Sequence, residues 1–251
     1  MIRLLRFELA KVIFYKSFWI TLGLYFLVLL GVTKYSTAGT HIYISSFIAQ
    51  VFLGYLSINL ICNEFENKTL RQHIMNGLGR SEALISKFML YILLILFSAV
   101  CVFILSLAVG AQSGASMLSG AGAIDGAGAS SGESTVKLLL ELGQFSLRTF
   151  AYLSFSILIA LNFKKASSAI AIFFLWPVLF EPVIGWILKQ YVDGWATWLP
   201  CEVFSRLLKS PFAGMMGIET GGVANSTYLA ALVYIILFWA ITYFRFSKAD
   251  I

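Results

Sequence analysis

Six apolar runs govern what this 251-residue chain can become, each near the ~20 residues that a helix needs to cross ~30 Å of hydrocarbon. They occupy residues 17–32, 42–62, 88–110, 138–163, 166–188 and 228–244. Hydrophobic residues make up 59% of the chain and charged ones 12%, where a soluble domain carries about a quarter. The reading is an all-α integral membrane protein of six spans, a single transmembrane domain over residues 1–251. A net charge of +6 would point to nucleic acid in a soluble protein. Here the basic residues border the apolar runs, so they read as topology signals and no nucleic-acid partner is expected.

The charges also orient the spans. With both termini cytoplasmic, the inner segments hold Arg3, Arg6, Lys11, Lys16, Lys68, Arg71, Arg80, Lys87, Lys164, Lys165, Arg245 and Lys248. The outer segments hold only Lys34, Lys137, Lys189, Arg206 and Lys209, with Arg148 left inside a span. That bias places residues 63–87 on the cytoplasmic side. Residues 1–16 set Arg3, Arg6, Lys11 and Lys16 among Leu4, Leu5, Phe7, Val12 and Phe14, a basic amphipathic helix suited to the headgroup region or a plain basic flank to the first span. The apolar run after them is too long for a signal-peptide core, which favours an uncleaved anchor.

Residues 63–87 are the one long polar stretch between spans with both charge and helical order. Asn63 followed by Glu66 reads as a helix start with a capping box, and Glu64 and Lys68 stand at i,i+4. Leu70, Ile74 and Met75 form a short apolar stripe, Gly77 and Gly79 end it, and Ser81 with Glu82 caps the next helix. The order Glu64, Glu66, Thr69, Leu70, Arg71, Gly77, Arg80, Ser81, Glu82, Lys87 resembles the cytoplasmic coupling region of the type-2 family of ABC exporter permeases. Lys68 stands where many relatives have Gly. The basic opening RFELAKVIFYKSFWI resembles the family's elbow helix. Leu199-Pro200 with Phe204 and Leu207 resembles its short external helix, and the ending with Phe246, Lys248, Asp250 and Ile251 its tail.

The resemblance implies a permease subunit of an ATP-driven exporter in a bacterial-type plasma (inner) membrane. It would pair with a second copy of itself or a related permease, contact membrane lipid, and couple to two cytosolic ATPase subunits. Glu64, Glu66, Arg71 and Arg80 would contact or position the ATPase, with Ile74 as an apolar contact. ATP and Mg would be bound by that partner: the chain has no Gly-Lys-Ser/Thr phosphate loop, and this chain itself is expected to bind no cofactor. A non-transporting membrane scaffold or sensor with the same fold is the alternative. No catalytic set is expected, since His41 and His73 lie outside the deep membrane region and no Ser-His arrangement exists. Cys62, Cys101 and Cys201 fall in separate segments and predict neither disulfide nor metal site.

The fourth span carries polar residues at Lys137, Glu141, Gln144, Arg148, Tyr152 and Ser156, spaced to share one helical face. Such a face turns inward, to line a pathway or meet a partner, or else its upper members sit in the headgroup zone with Arg148 snorkelling toward them. Arg148 and Glu181 are both 16 residues from the turn at Lys164-Lys165, which puts them at equal depth and predicts an ion pair. Pro177 and Pro182 bend or end the fifth span there. The Gly/Ala/Ser-rich residues 111–136 read as a flexible external loop, and residues 189–227 as an external loop with a short amphipathic helix bearing Val203, Phe204, Leu207 and Leu208.

Overall fold

A computed structural model describes residues 9–10, 12–34, 36, 38–66, 80–112, 131–163, 165–191, 195–208 and 225–248. Six helices among them are long and apolar enough to cross a membrane, and no strand occurs among the described residues. The chain is a multi-pass helical membrane protein. Helix is the expected answer in lipid, where each backbone donor and acceptor needs a partner within its own segment.

The first crossing is α1 (Lys16–Thr33), the second α2 (Ala38–Glu66), the third α3 (Arg80–Gln112) and the fourth α4 (Ser131–Phe163). The fifth is built of α5 (Ala166–Leu175), a π turn (Trp176–Phe180) and α6 (Glu181–Tyr191). A 3-10 turn (Trp195–Trp198) and the short helix α7 (Pro200–Arg206) precede the sixth crossing, α8 (Asn225–Lys248). Most helices outrun their apolar runs at one or both ends. Backbone that remains in register needs no new partner, so polar residues extend a helix past the hydrocarbon.

One boundary overturns the sequence reading. Asn63 does not start a helix: α2 continues through it to Glu66, and Asn63 Nδ2 bonds Asn59 Oδ1 one turn back, at 3.1 Å. The capping-box reading fails because an already formed helix satisfies the Asn63 backbone. Lys68, Leu70, Ile74, Met75, Gly77 and Gly79 lie outside the described residues, as do most of residues 1–16. Of the latter, residues 12–14 are helical, with Val12 buried, and extended Tyr15 separates them from α1.

Side-chain contacts fix the packing. α2 and α4 run parallel: Arg148 reaches Ser46, Ser156 bonds Ser57, and Cys62 lies over the Ala160 carbonyl. α8 runs with them, Gln144 donating to Tyr228 and Trp239 to Ser154. α1 and α3 run opposite to α2, held by Asn59 to Ser17 at 3.0 Å and by Tyr91 to the Ser57 carbonyl at 3.4 Å, while Tyr25 meets Ser98 at 2.6 Å between α1 and α3. Polar groups join helices here because lipid offers no hydrophobic drive between them. α2 and α4 form the centre, 61% and 67% of their apolar windows being buried against 11% in the first and fifth crossings.

The fifth crossing is continuous. Pro182 does not end it, because the π turn, closed by the Glu181 N–H on the Trp176 carbonyl, widens the helix. That makes room where the Pro182 ring would meet the Val178 carbonyl, and α6 carries on to Tyr191. Facing it, Gly54 lets the buried Phe173 ring lie against α2, with an added Cβ only 2.5 Å from the ring.

Candidate functional site

Two polar centres stand at opposite ends of α2. At the end carrying Glu64, the helix is tied to its neighbours on both sides. Glu64 is buried and ion-paired with Lys87 of α3. Glu66 is exposed and its Oε1 accepts the Ala166 N–H at 3.1 Å, where α5 begins and Lys165 supplies no side-chain cap. The carboxylate thereby satisfies an orphan donor at the positive end of a helix. Lys87, read in the sequence as an inner-side cation and the last residue of the coupling motif, is the charge that balances Glu64 inside the bundle. Arg80 opens α3 with its side chain outside the described residues, and Arg71 and Ile74 lie outside them altogether.

At the other end lies an open cavity of about 610 Å³. Its walls come from α2 (Tyr43, Phe47, Gln50), α4 (Arg148, Tyr152), the fifth crossing (Pro177, Glu181, Gly185, Trp186) and α7 with its approach (Leu199, Cys201, Glu202, Arg206). α4 brings Arg148 and Tyr152 there because its polar face turns inward onto α2, as the four-residue spacing predicts. Tyr152 is buried and packs edge-on against Phe204 of α7, ring centroids 5.3 Å apart. Gln144 points away to α8 and its Tyr228 hydroxyl, and Glu141 is half-buried one turn above.

Arg148 and Glu181 share this cavity without forming the predicted ion pair. Arg148 donates to Ser46 Oγ at 3.1 Å and lies 5.4 Å over the Tyr43 ring. Glu181 Oε1 accepts the Glu202 N–H at 2.9 Å, capping α7, whose first flanking residue Leu199 has no capping side chain. Equal depth is not proximity: the α4 face turns Arg148 to α2, and the π turn directs Glu181 to the start of α7. Arg206 is compensated separately by Glu202, 2.9 Å away.

Sequence reasoning missed the α2 side of the site. Ser46, Gln50, Gly54 and Ser57 are spaced by 4, 4 and 3, the same small-and-polar helical stripe that marked α4. Cys201 was also passed over; burial raises the pKa of its thiol well above the ordinary range, and the Glu181 carboxylate adds to the effect. Neither protein-family models nor curated proteins gave a match to the chain.

Proposed function

We propose that the chain is the transmembrane permease subunit of an ATP-driven ABC exporter, which forms its pathway as a dimer and is driven by separate cytosolic ATPase subunits. The observation that carries this reading is the linkage along α2. One end is fastened to α3 by Glu64 and Lys87 and to α5 by Glu66, and the other end forms a wall of the cavity. α5 leads through its π turn to Glu181 on another wall. Displacement of the polar stretch between α2 and α3 would therefore reach the cavity through two crossings at once. ATPase closure can act on such a device because packed helices move as rigid pieces. The coupling motif from Glu64 to Lys87 adds the family resemblance.

In this role Glu64 works from inside the bundle, as a positioning residue, and not by touching the ATPase. Glu66 holds the start of α5, and Arg71, Ile74 and Arg80 are the expected contacts to the partner.

The test is purification of the tagged chain from its own cells, followed by ATP hydrolysis in vesicles. Co-purification of a nucleotide-hydrolysing protein is expected, with Arg71→Ala and Arg80→Ala weakening its capture. Stimulated hydrolysis should fall in Glu64→Ala and recover in part in the swapped pair Glu64→Lys with Lys87→Glu. A chain purified alone, with no ATPase and no nucleotide-dependent transport, would favour the scaffold or sensor reading.

A further inference from the structure

Arg148 is 3% exposed, inside a membrane-crossing helix, and no carboxylate of the described residues lies within ion-pair distance of it. Its polar neighbours Ser46, Tyr43 and Tyr152 are neutral groups. A fixed cation at that depth is costly without a counter-charge, so the counter-charge is to be sought in a ligand. The wall that Arg148 shares with Gln50 faces an open cavity of about 610 Å³, a size suited to a small organic group. Buried Gln50 Nε2 and Arg148 Nε both lack hydrogen-bond partners, which leaves donors in surplus on this side. On the fifth crossing the balance is reversed: Glu181 Oε2 is an acceptor without a partner. Phe47 and Trp186, 59% and 64% exposed, flank the opening.

We infer that the cavity binds a zwitterionic group, an anion linked to an amine. The anion sits on the Arg148 and Gln50 side, and the amine lies toward Glu181. A purely anionic group would leave Glu181 Oε2 without a donor and suffer the carboxylate's repulsion, and an apolar one would leave Arg148 uncompensated. The group can be a lipid head, with its chains leaving between Phe47 and Trp186, or a soluble molecule of the same chemistry. The site rests on the cavity alone and holds whether or not an ATPase drives the chain.

The test is binding to the full-length chain in detergent, with dioctanoyl phosphatidylethanolamine, its phosphatidylglycerol counterpart and O-phosphoethanolamine as probes. Phosphatidylethanolamine should bind more tightly than phosphatidylglycerol. Its affinity should fall by ~10–100-fold in Arg148→Gln, the range for losing a charged hydrogen bond. Glu181→Gln should abolish the preference between the two lipids. Gly185→Leu fills the cavity against Leu199 without touching Arg148, and it should block binding while the melting profile stays unchanged. Binding of the lipid alone assigns a lipid head, and binding of O-phosphoethanolamine as well assigns a soluble ligand. Failure of both zwitterionic probes, the phosphatidylethanolamine and O-phosphoethanolamine, to bind the wild-type chain, or binding that survives in Arg148→Gln and in Gly185→Leu, would overturn the inference.

Discussion

Glu64, Glu66 and Glu181 show how differently one side chain is used according to what surrounds it. Glu64 is half of a buried pair, so Glu64→Ala removes a carboxylate that balances the buried Lys87 ammonium and should destabilise the chain by about 3–5 kcal/mol. Adding Lys87→Met should restore most of that loss, read as the midpoint of unfolding in mixed micelles. Glu66→Ala removes only an exposed cap and should cost about 1 kcal/mol in the same measurement. Cys201 tests the Glu181 environment from outside the spans. Because burial, and then the Glu181 charge, holds the thiol protonated, its maleimide labelling should be slow at pH 7 and still rising at about pH 10. Glu181→Gln should speed it.

Elements meet through a few small or polar positions. Gly54 is the closest approach of α2 to the fifth crossing, and Gly54→Ala drives a Cβ into the buried Phe173 ring. The expected cost is about 1–3 kcal/mol, partly relieved by Phe173→Leu, with thermal aggregation as the readout. The π turn is the second such device. It holds one residue more than an α-helix needs and keeps the Pro182 ring off the carbonyl a turn earlier, so deleting exposed Val178 should kink or weaken the fifth crossing by ~3 kcal/mol while the other crossings stay in register and the chain stays monodisperse. Deleting Phe155 from α4, by contrast, shifts a buried face off α2 and should abolish the monodisperse peak in size-exclusion chromatography.

Across the whole molecule the two polar centres lie toward opposite ends of α2. In the proposed orientation Lys165 faces the cytoplasm and Ser205 the exterior. With Cys62, Cys101 and Cys201 replaced by alanine, a membrane-impermeant maleimide should label Ser205→Cys in intact cells and Lys165→Cys only after lysis. The reverse pattern would put the Glu64 end outside, beyond the reach of a cytosolic ATPase, and end the exporter reading.

The six crossings were legible in the sequence because burial in lipid is a property of each run taken singly: an uninterrupted apolar stretch of spanning length has no other stable form. The inward polar face of α4 was legible for a related reason, since spacing along one helix determines which residues share a side. Whom that side meets depends on the rotation and lateral placement of other helices, which no single run encodes. Tertiary packing therefore decided that Glu64 pairs with Lys87, that Glu66 and Glu181 each close the start of another helix, and that Arg148 turns to Ser46 and away from Glu181. Depth along the membrane normal can be counted in residues, but direction around a helix axis relative to its neighbours is settled only when the side chains interlock.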